Sequence, residues 1–334
     1  MDNIKTKQHI QNIINKFPES TQIAIARVSE DSVIFNGFVK ENNIVKQIDN
    51  RDAIFEIGSI TKVFTSSLLA QMFINKQINI EANIDLGFSL KNNAQITYKE
   101  LATHSSGLPG MPLKMMLSLL FTKNDNPYKD FDESRLVNYL KNDLKLKTKG
   151  KLRYSNVGAG LLGHALSQQL NLSYDELLRQ KLLSKLEMHS TTTIREKLKD
   201  KLVTGLDKKG NKTTHWDLNI LAGAGAALSS AADMSKFILA NIENNCKAFD
   251  FQKQYHLQNG KQSMGLGWFI LKDLLKGMDE IYFHNGGTGG YRSSMAINMK
   301  NQTGIIVLSN VTTLTLFKNQ KIDQLAFRLL KDMK

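Results

Sequence analysis

The sequence predicts a mixed α/β (α+β) fold in which both ends of the chain build one antiparallel β-sheet flanked by helices, while the middle forms an inserted all-helical lobe. Two observations predict it. Strand-like alternation occupies residues 21–39 and returns after residue 265, and the stretch between carries mainly helical periodicity broken by Gly and Asn turns. No internal repeat or low-complexity linker divides the chain. The expected boundaries are 1–80 with 246–334 for the discontinuous α/β lobe and 81–245 for the insertion.

The elements follow in order. Ile4, Ile10, Ile13, Ile14 and Phe17 recur at helical spacing, so residues 3–16 are expected to form an amphipathic helix. Residues 21–28 alternate through Ile23 and Ile25, residues 32–39 carry Val33, Phe35 and Phe38, and 29–31 supply the turn of a hairpin. Residues 59–76 read as a long helix in which Val63, Leu68, Leu69, Met72 and Phe73 leave most sides apolar, as in a buried helix. Towards the other end, residues 265–271, 280–284, 291–298 and 304–308 read as strands, and 317–333 as a closing helix.

Composition narrows the function classes. The 334 residues are 41% hydrophobic and 22% charged, which fits a globular chain with a real core. A single cysteine, Cys246, excludes an internal disulfide framework and Cys-rich zinc or iron–sulfur sites. His9, His104, His164, His189, His215 and His256 lack metal-ligand spacing, so neither a metal nor a cofactor is expected. No run approaches the roughly 18 apolar residues of a membrane-spanning helix. The opening Met1-Asp2-Asn3-Ile4-Lys5 is too polar for a signal peptide. As written, the chain is expected to be cytoplasmic, or periplasmic or extracellular where a leader has been removed. The net charge of +13 suggests a polyanion, yet the densest lysine runs, 141–151 and 197–212, are interleaved with Asp143, Asp200 and Asp207, as on solvated faces. A nucleic-acid partner is therefore not expected.

Three segments carry candidate chemistry. In Gly58-Ser59-Ile60-Thr61-Lys62, positions i and i+3 of a helix share a face, so the Lys62 amine falls within reach of the Ser59 hydroxyl. Both lie in a first turn, where free backbone N–H groups and burial lower a lysine pKa and make it a usable base. Ser59 also fits a plain N-cap. The second segment is Arg153-Tyr154-Ser155-Asn156: Tyr154 can shuttle a proton and Asn156 can hydrogen-bond a carbonyl, and in isolation the segment also reads as a turn. The following Gly158-x-Gly160-x-x-Gly163 matches the dinucleotide fingerprint without the strand that would give it meaning, so close helix packing is expected instead. In the third, His284-Asn285-Gly286-Gly287, glycines between two strand-like runs mark either a close approach to a ligand or a hairpin turn.

Taken jointly, Ser59-x-x-Lys62, Tyr154-Ser155-Asn156 and His284-Asn285-Gly286 resemble the ordered motifs of the serine β-lactamase and penicillin-binding protein superfamily. The Tyr-x-Asn second motif resembles the class C branch with its DD-peptidases and esterases. So do Leu101-Ala102-Thr103-His104-Ser105-Ser106-Gly107-Leu108-Pro109, the run from Ala222 to Met234, and Gly265-Leu266-Gly267-Trp268. The resemblance spans about residues 10–332. It implies Ser59 as nucleophile, Lys62 and Tyr154 as its activators and proton carriers, and Asn156 holding substrate and Lys62. It also implies His284, Asn285, Gly286 and Gly287 as substrate-binding, and the backbone N–H groups of Ser59 and Gly287 as an oxyanion hole.

The implied reaction is hydrolysis through an acyl-enzyme. Its implied substrate is a small amide or ester, foremost a D-Ala-D-Ala-type or cell-wall peptide, with a β-lactam or a carboxylic ester as alternatives. A binding protein that never turns over is the alternative of another class. The family's third motif is Lys-Thr-Gly, and the departure to His-Asn-Gly exchanges a permanent positive charge for a mostly neutral imidazole and removes a hydroxyl. That argues against efficient β-lactam hydrolysis. Arg292 is either a substitute partner for a substrate carboxylate or one half of an exposed salt bridge. The oligomeric state is open.

Overall fold

The computed structural model describes residues 4–112, 126–198, 200–243, 245–260, 262–312 and 321–333. Strands β1 (Gln22–Ser29), β2 (Ser32–Glu41) and β3 (Ile44–Ile48) come first. Next, β4 (Phe55–Glu56) pairs with β5 (Leu228–Ser229) in a separate two-stranded ribbon. Strands β6 (Leu257–Asn259), β7 (Gln262–Met264), β8 (Phe269–Leu275), β9 (Met278–Gly287), β10 (Arg292–Asn298) and β11 (Thr303–Ser309) complete the series. Among the described residues the main sheet is antiparallel, in the order β3-β2-β1-β11-β10-β9-β8-β7-β6. The two ends of the chain meet at its centre, where Ile25 of β1 stands opposite Val307 of β11. The helices are α1 (Ile4–Ile14), α2 (Thr61–Ile74), α3 (Tyr98–Ala102), α4 (Glu133–Asn138), α5 (Asn156–Leu170), α6 (Tyr174–Leu178), α7 (Ala231–Ile242), α8 (Lys247–Lys253) and α9 (Lys321–Lys331).

Side-chain alternation on the strands divides the core into two layers. Ile23, Ile25, Ala296, Ile305 and Val307 point to one face and pack with Ile10, Ile14, Leu325 and Leu329 of α1 and α9. Ala24, Ala26, Met295, Ile297 and Leu308 point to the other and pack with α2 and α7. Helix α2 is buried on nearly every side, so its apolar residues serve as a central pillar, each large one contributing about 1.5–3 kcal/mol. Helix α7 falls inside the stretch assigned to the helical insertion, yet it packs on β1 and β11 of the sheet.

Several elements differ from the sequence expectation. The long helix expected over 59–76 opens as a 3-10 turn, Gly58–Ile60, before α2 begins. The strand expected over 265–271 begins only at Phe269. Gly267 takes a φ of +72°, and a Cβ there would stand 2.9 Å from the Lys62 carbonyl, so 265–268 is a loop pressed against α2. Strand β3 escapes the pattern search because it is an edge strand whose Ile44 is 60% exposed. Residues 317–320 of the expected closing helix lie outside the described residues. No helix of the described residues is long and apolar enough to cross a membrane.

Candidate active site

The turn before α2 is shaped by one glycine. Gly58 adopts a φ of +52°, and a Cβ on it would lie 2.8 Å from the Gly287 nitrogen. Only glycine meets both conditions. Thr61 fixes the turn, its Oγ1 donating to the Gly58 carbonyl at 2.7 Å and accepting from the Ala227 N–H at 3.1 Å. Neither the 3-10 turn nor α2 is capped by a side chain, so Ser59 is not an N-cap; its half-exposed hydroxyl is left to the cleft.

Lys62 Nζ stands 2.8 Å from Ser59 Oγ and donates to the Ala224 carbonyl at 2.5 Å. The side chain is 2% exposed, and burial holds its pKa well below the ordinary lysine value. The amine is thus available as a proton acceptor. The Ala224 carbonyl closes the 3-10 turn Asn219–Ala224, which Thr65 Oγ1 holds through the Gly223 carbonyl at 2.8 Å. That turn in turn rests on α5: a Cβ at Gly160 would sit 2.5 Å from Leu221 Cδ2, and one at Gly163 would sit 2.9 Å from Gly223 Cα. The glycines of 158–163 are packing positions.

Tyr154 precedes α5, whose N-cap Ser155 accepts from the Gly158 N–H at 2.8 Å. Its ring lies 4.9 Å from Lys62 Nζ; the residue as a whole is 38% exposed, while its hydroxyl is desolvated beside Ser59. That desolvation raises the phenol's pKa, and the hydrogen bond with Ser59 only partly opposes it. Lysine and tyrosine are therefore driven apart, one towards a neutral amine and the other towards a protonated phenol, which separates a base from an acid. Asn156 differs from expectation: among the described residues its amide donates to Tyr128 Oη at 2.8 Å and Lys62 is held by Ala224 instead. Burial pushes the Tyr128 hydroxyl up to about 12, so it stays a neutral partner.

The third motif divides by strand alternation. His284 and Gly286 face the cleft side, whereas Asn285 and Arg292 face α9. Asn285 Nδ2 donates to Asp323 Oδ2 at 2.8 Å and Arg292 Nη2 donates to the same oxygen at 2.6 Å. The structure thus takes Asn285 away from the substrate position expected for it, and of the two readings of Arg292 it gives the ion pair, buried rather than exposed. His284 is 1% exposed, and its Nδ1–H donates to the Asn285 carbonyl at 2.7 Å, leaving Nε2 as an acceptor. Burial first, then the nearby Lys62, pushes its pKa down to about 3, so the ring is neutral.

Sequence reasoning missed His104. It follows the C-cap of α3 with a φ of +57°, accepts the Ser155 N–H on Nδ1 at 3.3 Å, and lays its ring 4.5 Å from that of Tyr154. The signal was the segment 101–109, which marked the resemblance without giving any residue a role. Phe269 flanks Tyr154 and His284 at 6.3 Å and 5.5 Å, and Trp216 meets Tyr128 edge-on at 5.7 Å. Among the described residues no group of three or more His, Cys, Asp or Glu side chains is placed to hold a metal ion.

Gly286 is the tightest contact in the site. A Cβ there would fall 1.9 Å from the Ile57 carbonyl and 2.5 Å from Ser293 Oγ, which itself donates to that carbonyl at 2.7 Å. Gly286→Ala is expected to destabilise the fold by about 1–3 kcal/mol through overpacking, measured by urea unfolding, and to displace Gly287 from Ser59. Unchanged stability in the Gly286→Ala chain would contradict the observed approach.

A sequence model of the Beta-lactamase family matches residues 27–327. A β-lactamase of Providencia stuartii is 26% identical over 248 residues, and the match covers 72% of this chain but only 61% of that relative's length. Two solved structures share the fold. The octameric penicillin-binding protein homologue from Pyrococcus abyssi superposes with a TM-score of 0.81 at 21% identity, over 99% of this chain and 77% of that one. A class C β-lactamase from Rhodobacter sphaeroides does so with a TM-score of 0.80 at 19% identity, over 99% of both chains. Because the family match runs through all three motifs and nearly the whole described sheet, the chain belongs to the β-lactamase family.

Proposed function

We propose that this protein hydrolyses small esters or amides through an acyl-enzyme on Ser59. The observation that carries the reading is the 2.8 Å contact between Ser59 Oγ and an amine whose charged form burial disfavours. In the first step Lys62 Nζ takes the Ser59 proton while Oγ attacks the substrate carbonyl carbon. Charge then develops on the carbonyl oxygen, for which the N–H groups of Ser59 and Gly287 are the proposed donors. The Tyr154 phenol gives its proton to the leaving group and regains one from the Lys62 ammonium. Water attacks the ester on Ser59 by the reverse route, so one hard step becomes two easier ones. Asn156, held by Tyr128 through its amide nitrogen, has its carbonyl oxygen left to a substrate N–H.

The electrostatics favour a leaving group without a carboxylate. His284 is neutral, burial disfavours the charged form of Lys62, and Arg292 is committed to Asp323, so the three offer little free positive charge. A D-Ala-D-Ala-type peptide is the second reading, favoured by the net charge of +13, which draws anions towards the chain. A panel of p-nitrophenyl esters, nitrocefin and a D-Ala-D-Ala peptide, with a fluorophosphonate to label Ser59, tests both. The neutral esters are expected to exceed the carboxylate-bearing substrates by at least about tenfold in kcat/KM, the size of one lost charge contact. His284→Lys is expected to narrow that gap. A stable Ser59 adduct without turnover would establish a binding protein instead, and no labelling of the folded chain would remove the proposal.

A further inference from the structure

The back of the active-site strand holds a buried polar knot that the proposed reaction does not use. Asp323 lies in the first turn of α9, is 8% exposed, and accepts from both Asn285 and Arg292 on the single oxygen Oδ2. Those two donors sit on adjacent strands in matched rows: Asn285 stands opposite Ser294, and Gly287 stands opposite Arg292. On the other face of the same strands, Gly286 is pressed against Ile57 and Ser293 ties itself to the Ile57 carbonyl. The end of β9 is therefore gripped from both sides, by the nucleophile turn in front and by one carboxylate behind.

Stability alone does not account for this arrangement. Burial pushes the Asp323 carboxyl up and the Arg292 guanidinium down, both against the effect of their pairing, so desolvation outweighs attraction for each partner. An apolar pair of similar volume is often as stable as such a buried ion pair or more so. What the carboxylate supplies and an apolar pair does not is direction, since two hydrogen bonds to one atom fix the relative placement of β9 and β10.

We infer that Asp323 is a positioning residue: by holding Asn285 and Arg292 it sets where Gly286 and Gly287 stand against Ser59. The inference rests on Ser59 as the proposed nucleophile only for its kinetic consequence; the placement of the strand is independent of it. A misplacement on the order of 1 Å costs about 10²-fold in rate.

The test compares the wild-type chain with Asp323→Ala, Asp323→Asn and the double variant Arg292→Leu/Asp323→Leu. Thermal unfolding, fluorophosphonate labelling of Ser59, ester kinetics and amide exchange of peptides covering 283–289 are measured below each variant's transition. The double variant is expected to recover the thermal stability that Asp323→Ala loses. It should still label and turn over about 10²-fold more slowly, with KM within about threefold and faster exchange at 286–287. A double variant with wild-type labelling and exchange would overturn the inference, because packing would then suffice; so would Asp323→Ala with unchanged exchange, whereas Asp323→Asn, which keeps one acceptor oxygen, is expected to fall between Asp323→Ala and the wild type. If the wild-type chain is not labelled at all, the proposed reaction fails, while the exchange measurement still decides the positioning. If Asp323→Ala does not fold, the other two variants decide.

Discussion

A Ser59→Ala chain is expected to lose hydrolysis of its best ester by roughly 10⁴- to 10⁶-fold, the range seen when the nucleophile of a coupled catalytic unit is removed. Ser59 Oγ is the atom on which the Lys62 amine and the Tyr154 hydroxyl converge, so its loss leaves a base and an acid with no bond to make. The same substitution should barely affect folding. The serine caps no helix, its side chain is half-exposed, and alanine has the better helical propensity. Steady-state kinetics and thermal unfolding of one preparation check both halves. Retained turnover in a cleanly purified Ser59→Ala chain would mean that the chemistry lies elsewhere.

Lys62→Met is expected to lower turnover by roughly 10²- to 10⁴-fold, as for loss of a general base, and Lys62→Arg should do the same because a guanidinium does not deprotonate. The pH dependence follows from the depressed pKa. Activity of the native chain should fall as pH falls through that value, since a protonated amine accepts nothing. Stability moves in the same direction. Between the depressed folded pKa and the ordinary lysine value the folded lysine is uncharged while the unfolded one is protonated, so the unfolded state binds more protons and stability decreases as pH falls through that window until the folded pKa is reached. Methionine lacks that dependence. It also leaves the Ala224 carbonyl without its donor, which offsets part of the gain. Urea unfolding between about pH 6 and pH 10 should therefore show the Lys62→Met chain gaining on the native chain as pH is lowered. A constant difference across that range would mean that Lys62 is charged in the fold.

The reading of the sequence succeeded where the information is local. The alternation of Ile23 and Ile25 and the apolar surface of α2 report burial directly, because side-chain direction follows from the backbone repeat. The Ser59 and Lys62 pairing is equally local, three positions apart on one turn. Strand β3 was not legible, since an exposed edge strand needs no apolar face. Asn285 was misplaced for a different reason. Strand alternation implies that neighbours such as His284 and Asn285 face opposite ways, but which of them faces the cleft depends on the phase of the strand against a turn hundreds of residues away in sequence.

By itself, then, the sequence determined the α+β architecture, the sheet drawn from both chain ends, and the serine–lysine pair. Only the tertiary structure decided the properties that give those residues their chemistry. The Lys62 pKa is lowered because the fold buries α2, and its amine donates to the carbonyl of Ala224, 162 positions on. Tyr154 is held by His104, fifty positions earlier, and Asn285 is drawn to Asp323 on the last helix. Covalent geometry fixes the spacing of neighbours along a helix or strand, whereas desolvation and hydrogen-bond partners depend on which distant segments the fold brings together.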